Sequence, residues 1–268
     1  MKAFVINLAA STERRRHMQR QLERLGIEHE FVAAVDGGAL TAGDRQGLVC
    51  EDAVARASDW LRPGIIGCCL SHVAAYRAIA ADGAAAALVL EDDVILPTYT
   101  ADLLTTLASS LDRREVALMY YRSIRSCRLS DRESVSLAEG HRLLYPIDLE
   151  PLNATTAYVI TREACLSMID FVIPVRTGPD SWSVFVQAGA LDRVRCVQPR
   201  PFGARTDFKS TIDYLGGSTS AKQRVMGAVS RHRIFPLFQI AAWRRAQIER
   251  NLSQFSVVSE RSPHSPQG

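Results

Sequence analysis

Short apolar runs alternate with stretches of helical spacing along this chain. Ala3 to Leu8 (AFVINL) is uncharged and of strand length, so it predicts a buried strand. Met18, Leu22 and Leu25 then recur at helical spacing, with Ser11 where a cap belongs and Gly26 where the helix stops. Glu30 to Val35 (EFVAAV) predicts a second strand that runs into Asp36-Gly37-Gly38. Strand, helix and strand within about 35 residues is the βαβ pattern of an α/β sheet.

The pattern continues in that style. Asp44 to Asp59 predicts a polar helix that Pro63-Gly64 ends. In GIIGCCLSHVAAYRAIA, Cys69, Val73, Tyr76 and Ala80 share one helical face, which predicts a helix packed on the sheet. Ala87 to Leu90 predicts a buried strand, Ala101 to Ser109 a helix, and Val116 to Tyr121 another strand. Arg122 to Leu143 is rich in charge and serine and predicts an irregular excursion. Asn153 to Ile160 predicts a strand, and Thr161 a cap for a helix with Ala164, Cys165 and Met168 inward. Pro174 to Trp182 is turn-rich, and Leu191 to Val197 predicts a strand ended by Pro199 and Pro201. From Lys222 to Arg250, basic residues interleave with Phe235, Leu237, Phe238, Ile240 and Trp243. That stretch predicts basic amphipathic helices, which either touch an anionic membrane surface or pack on the domain with the basic face in water.

Composition narrows the class. With 47% apolar residues among 268 there is ample core for one large domain or two small ones, and a net charge of +3 is too mild to imply a nucleic-acid partner. The six cysteines show no Cys-x-x-Cys pair, and the adjacent pair Cys68-Cys69 sits in an apolar run, so they read as thiols of a reducing compartment. MKAFVINL meets charge too early for a signal peptide, and no stretch reaches about 18 uncharged apolar residues. The expectation is a soluble cytoplasmic protein with peripheral contact at the inner face of the cytoplasmic membrane.

The candidate chemistry is Glu91-Asp92-Asp93, where an apolar strand runs into three carboxylates and turns apolar again. Two unit charges roughly 6 Å apart repel by about 3 kcal/mol at an effective dielectric of 20. A cation at the strand end relieves that repulsion, and carboxylate oxygens suit Mg²⁺ or Mn²⁺. A solvated acidic turn is the alternative. Period-two alternation predicts Glu91 and Asp93 on one face and Asp92 on the other. Ligands of α/β sheets gather at the carboxyl ends of strands, which predicts one rim for Asn7, Asp36 and the acidic block if the three strands are parallel. Ser71 and His72 near a helix start, Arg14 in a run of arginines and Asp180 in a proline-flanked turn each have an ordinary structural reading as well.

Four blocks in order, FVINLAASTERRRHM, VAAVDGG, GIIGCCLSHVAAYRAI and ALVLEDDVIL, with AYVITREA and Pro179-Asp180 behind them, resemble glycosyltransferase family 25, the lipooligosaccharide-biosynthesis glycosyltransferases. The resemblance covers about residues 1–205. It implies a GT-A type Rossmann-like fold with a mostly parallel central sheet flanked by helices. A helical basic extension over residues 206–255 and a disordered tail over 256–268 would follow. It implies inverting transfer of a sugar, commonly galactose, from a nucleotide sugar to a glycan or lipid-linked oligosaccharide acceptor. Carried over by residue, Glu91 and Asp93 hold the divalent cation, and Asn7, Leu8, Arg14, Asp36, Gly37, Ser71, His72 and Asp92 form the donor site. Asp180 is the candidate general base. Ile65 stands where the family has Glu in Gly-Glu-Ile-Gly-Cys, which puts substrate preference in question. A metal-dependent phosphohydrolase and a non-catalytic nucleotide-sugar-binding module are the rival expectations.

Overall fold

The computed structural model describes residues 1–205 and 255–259. The predicted opening is present: β1 (Ala3–Asn7), α1 (Thr12–Arg24) and β2 (His29–Ala33) form a parallel βαβ unit, with Asn7 beside Ala33 in register. Ser11 occupies the cap position, but its side chain makes no capping bond. Instead its carbonyl accepts a hydrogen bond from the Asn7 side chain at 3.2 Å. Gly26 closes the helix with a left-handed φ of 64°.

The helix expected over Asp44 to Asp59 is two short ones, α2 (Ala42–Arg45) and α3 (Glu51–Arg56). Gly47, at φ 74°, turns the chain between them. The long α4 (Pro63–Asp82) follows, begun by Pro63 in the first turn and ended by left-handed Gly83. It is long and apolar enough to cross a membrane by length and composition alone. More than half of that apolar window is buried inside the protein, and α4 packs against the sheet and against α6 (Arg162–Val172).

Then come β3 (Ala86–Glu91), β4 (Val94–Ile95), α5 (Thr100–Ala108) and β5 (Glu115–Ser123). The expected excursion over Arg122 to Leu143 is in fact strand: β6 (Cys127–Ser136) pairs antiparallel with β7 (Arg142–Pro146). Cys127 and Leu129 are buried along β6 with exposed Arg128 between them, while the strand's second half, from Asp131 on, is largely open to solvent. β8 (Leu152–Thr161) runs into α6, which Thr161 caps as predicted by accepting the Ala164 N–H. α7 (Trp182–Gln187), β9 (Arg193–Gln198), β10 (Gly203–Ala204) and β11 (Phe255–Val258) complete the described elements.

Among the described residues, nine strands form one sheet in the order β11-β6-β7-β9-β5-β8-β3-β1-β2. Four of its eight pairings are parallel, so the sheet is mixed rather than mostly parallel. The parallel run that matters is β2-β1-β3, as expected. Phe255–Val258 lie at the junction of the expected extension and the expected disordered tail. They form the edge strand β11 beside β6, because Phe255 packs its ring edge-on against buried Tyr121. The basic stretch from Lys222 to Arg250 and the rest of the tail lie outside the described residues.

Helices cover both faces of the sheet, and strand alternation divides the core in two. Phe4, Ile6, Ala87 and Val89 face α4, α6 and α7, where Val73, Tyr76, Met168 and Trp182 are buried. Ala3, Val5, Leu88 and Leu90 face α1 and α5, where Met18, Leu22, Leu103 and Leu107 are buried. Each such aliphatic side chain contributes about 1.5–3 kcal/mol relative to exposure. This two-sided burial fixes the direction in which residues leave the end of β3.

Candidate functional site

β1, β2 and β3 are parallel neighbours, so their carboxyl ends form one rim. A cleft at that rim is lined by Leu8, Arg14, Asp36, Gly37, Cys68, Ser71, His72, Glu91 and Asp92, among others. Eight of the eleven site residues expected from the sequence line it, all but Asn7, Asp93 and Asp180, and their roles differ.

Glu91 is the last residue of β3 and continues the side of Ala87 and Val89, toward α4. Its Oε1 accepts a hydrogen bond from Thr155 Oγ1 of β8 at 2.8 Å and lies 3.8 Å from His72 Nε2. Burial by itself pushes its carboxyl up, but the contacts with His72 and Thr155 outweigh it and hold Glu91 below the usual carboxylate range. The chain turns at Asp92-Asp93, so strand alternation ends one residue before the prediction needs it. Asp92 swings toward α1. There Arg14 Nη1 donates to its Oδ1 and Asn7 Nδ2 to its Oδ2, both at 2.7 Å. Asp92 is thus a carboxylate already answered by a cation, and Asn7 supports it from behind rather than lining the cleft.

Asp93 also stands outside the cleft lining. Burial, and then the charge of Glu91, push its carboxyl up to about 6. Its Oδ1 is buried with no hydrogen-bond partner among the described residues, and its Oδ2 is 3.8 Å from Arg14 Nη1. Its backbone is held firmly: the Asp93 carbonyl accepts the Arg205 N–H at 2.8 Å, and β4 pairs with β10 just beyond. Gln21 grips the same segment through its side-chain amide, donating to Val94 O at 2.8 Å and accepting the Leu96 N–H at 2.9 Å.

On the opposite wall, Ser71 accepts the Val35 N–H at 2.8 Å and donates to Gly67 O at 2.6 Å. Its hydroxyl is committed to tying the end of β2 to α4. Gly67 makes that approach possible, since a Cβ there would lie 2.5 Å from Gly37 N and 2.6 Å from Val35 O. Asp36 is exposed at the mouth and accepts the Gly38 N–H. His72 is buried, with Nδ1 at 2.8 Å from the Tyr158 hydroxyl, which in turn donates to Tyr76. Ile65, in place of the family's Glu, is half-buried against the small apolar cluster of Val49, Leu61 and Val175.

Asp180 does not line the cleft. Its Oδ2 accepts the N–H of Ala154, a non-glycine residue at φ 88°, so it braces the strained entry to β8 next to Thr155. Its charge is close enough to raise both Cys68 and Cys69. Thr155, Gln21, Tyr158 and Cys68 take part in this rim and were not singled out from sequence. Only Cys68 carried a local signal there, as part of the Gly-Cys-x-x-Ser-His block.

Sequence comparison agrees with this geometry. The chain is 38% identical over 96 residues to a putative glycosyltransferase R655 of Acanthamoeba polyphaga mimivirus, covering 35% of this chain and 29% of that protein. It is 32% identical over 117 residues to procollagen galactosyltransferase 2 of Homo sapiens, covering 42% and 19% respectively. It is also 34% identical over 97 residues to a Homo sapiens protein named inactive glycosyltransferase 25 family member 3, covering 35% and 16%. The chain therefore spans less than a third of the length of each of these relatives. The family described as glycosyltransferase family 25 (LPS biosynthesis protein) matches residues 1–182, two thirds of the sequence and every residue of the cleft, and the chain belongs to that family.

Proposed function

We propose that this protein is an inverting, divalent-ion-assisted glycosyltransferase of GT-A type. It would move a sugar, galactose in the first instance, from a uridine diphosphate sugar to a hydroxyl of a lipopolysaccharide or related surface glycan. Family membership supports sugar transfer, and the name of the procollagen galactosyltransferase relative supports galactose. The basic and aromatic interleaving between Lys222 and Arg250 supports action at the inner face of the cytoplasmic membrane.

The observation that carries the proposal is Asp93 Oδ1, a buried carboxylate oxygen with no donor among the described residues, crowded by the charge of Glu91. Such a group is costly to bury, and a hard divalent cation removes the cost. Glu91 and Asp93 are the residues that would hold it. Bound there, the ion supplies positive charge to the departing nucleoside diphosphate. Arg14 is neutralised by Asp92 and braces the rim, while its position in the cleft lets it add a hydrogen bond to a phosphate oxygen. Asp36, exposed at the mouth, offers a carboxylate to ribose hydroxyls, and Gly37 lines the cleft beside it, where the missing Cβ lets α4 pack against its backbone. Asp180 is the proposed base. It stands outside the cleft lining with Oδ2 bonded to the Ala154 N–H, so Oδ1 would take the proton of the acceptor hydroxyl as that oxygen attacks the anomeric carbon opposite the leaving diphosphate.

The test is a set of nucleotide sugars assayed for metal-dependent thermal stabilisation, followed by transfer assays with wild type and Asp93→Ala. Loss of charge stabilisation in the variant should lower turnover by roughly 10²-fold or more. Near-normal turnover in a folded variant would sink the proposal. Rapid cleavage of varied phosphate esters without sugar transfer would replace it with a phosphohydrolase. Metal-dependent donor binding with no turnover on any acceptor would replace it with a binding module.

A further inference from the structure

We infer that Cys68, His72 and Glu91 form a second cation site on the α4 wall of the cleft, built for a borderline ion such as Zn²⁺ or Co²⁺. It shares only Glu91 with the carboxylate pair above, and it does not rest on the transfer reading. One ligand atom from each residue, a thiol sulfur, an imidazole nitrogen and a carboxylate oxygen, lies within 4.8 Å of the others. All three residues line the cleft.

The histidine points to an ion rather than to a hydrogen bond. His72 is 2% exposed, and its Nε2 has no hydrogen-bond partner among the described residues. The hydroxyl hydrogen of Tyr158 is committed to Tyr76, so the Tyr158 oxygen accepts from His72 Nδ1. Nδ1 therefore carries a proton, and in the neutral ring the Nε2 lone pair faces the cleft. Nε2 lies 3.8 Å from Glu91 Oε1, too far for an N–H···O bond and a separation that an ion bonded to both atoms would span. An ion with bonds of about 2.0–2.3 Å to nitrogen, oxygen and sulfur holds its donors about 3.4–3.7 Å apart in a tetrahedron. Small rotations of Cys68 and Glu91 give that spacing. The fourth position then opens into the cleft.

The surroundings of the ligands agree. Metal-bound histidines give their other ring N–H to a neighbouring acceptor, here the Tyr158 hydroxyl, and ligating carboxylates are themselves hydrogen-bonded, here by Thr155. Nitrogen and sulfur donors select Zn²⁺ or Co²⁺ over Mg²⁺. Burial and the Glu91 charge push the Cys68 thiol well above its ordinary value, so the metal-free thiol stays protonated at neutral pH. Binding forms the sulfur–metal bond and releases that proton to solvent, so affinity rises with pH.

The test is a Co²⁺ titration of the full chain after chelator treatment. Wild type should bind one equivalent with intense tetrahedral visible bands and a near-ultraviolet thiolate-to-cobalt band. Cys68→Ser should abolish the thiolate band. Cys69→Ser and Asp93→Asn should keep it, the latter separating this site from the carboxylate pair. Tyr158→Phe should weaken binding by roughly 10–100-fold. Should Cys68→Ser not fold, alkylation of the wild type read by mass spectrometry substitutes for it, with Zn²⁺ but not Mg²⁺ shielding Cys68. A wild type without the thiolate band, a band that persists in Cys68→Ser, or Cys68 alkylated equally with and without Zn²⁺ would each overturn the inference.

Discussion

Arg14 Nη1 donates to Asp92 Oδ1 at 2.7 Å, and the two side chains are only 11% and 12% exposed. The first helix and the acidic turn are thus joined by an ion pair that has lost most of its water. Removing one partner of such a pair strips the other of its nearest counter-charge, and Arg14 is then left with the more distant Asp93 carboxylate at 3.8 Å. Asp92→Ala should therefore cost about 3–5 kcal/mol, read from the urea midpoint. Arg14→Leu with Asp92→Leu should recover much of that loss, since both charges go together. A single-variant cost under about 1 kcal/mol, the value typical of surface pairs, would contradict the burial argument.

The Asp93 carboxyl gives a pH signature. Its folded value, about 6, lies above the ordinary 3.8. Between those values the folded state holds a proton that the unfolded state has lost, so metal-free stability falls as pH rises through the window. At pH 7 the full penalty applies, about 3 kcal/mol at most by linkage. Asp93→Asn should accordingly raise the melting temperature at pH 7 in chelator, with the gain shrinking to nothing below about pH 4. Mn²⁺ should stabilise the wild type more at pH 7 than at pH 5, because the ion must displace that proton. A gain for Asp93→Asn that is independent of pH would rule out the cause given.

Gly67 tests how closely α4 must approach the rim. An added Cβ meets backbone atoms of Gly37 and Val35 inside 2.7 Å, and neither can rotate away. Gly67→Ala should cost about 1–3 kcal/mol or more through overpacking, and should lower donor binding by moving Gly37 in the cleft. Gly83→Ala is the contrast: its φ of 84° is strained for alanine, but a Cβ there meets nothing within 4 Å. It should lower stability without touching donor affinity.

Much of the fold was legible because its signals are local. The strand, helix and strand of residues 3–33, the Thr161 cap and the acidic end of β3 each rest on periodicity or on a residue within a few positions. β6 and β7 were lost in a charge-rich stretch, where alternation on one buried face is weak beside solvent-facing Arg, Asp and Glu. The rim residues Asn7, Asp36 and Asp92 were legible as neighbours, since parallel strands bring their ends together. Their division of labour was not. Asp92 turns to Arg14, 78 positions away, and Glu91 to Thr155, 64 positions away. No local pattern encodes such partners.

Gln21 is the residue least legible from sequence and the sharpest test of how the acidic turn is held. It lies on α1 among arginines, yet it is 8% exposed and its amide grips the backbone of β4 like one more rung of a sheet. Gln21→Met keeps the volume and removes both bonds. Val94 O still has the His17 ring at 3.3 Å, but the buried Leu96 N–H is left without an acceptor. One orphaned buried donor costs about 1–3 kcal/mol, so the variant should unfold at correspondingly lower urea. The loss should also be local: hydrogen exchange at Leu96 should speed up while β1 and β3 amides stay protected. If the clamp fixes Asp93, metal-dependent stabilisation should weaken in the same variant. Unchanged exchange at Leu96 would mean that β10 alone holds the segment, through its pairing with β4 and the Arg205 N–H on the Asp93 carbonyl.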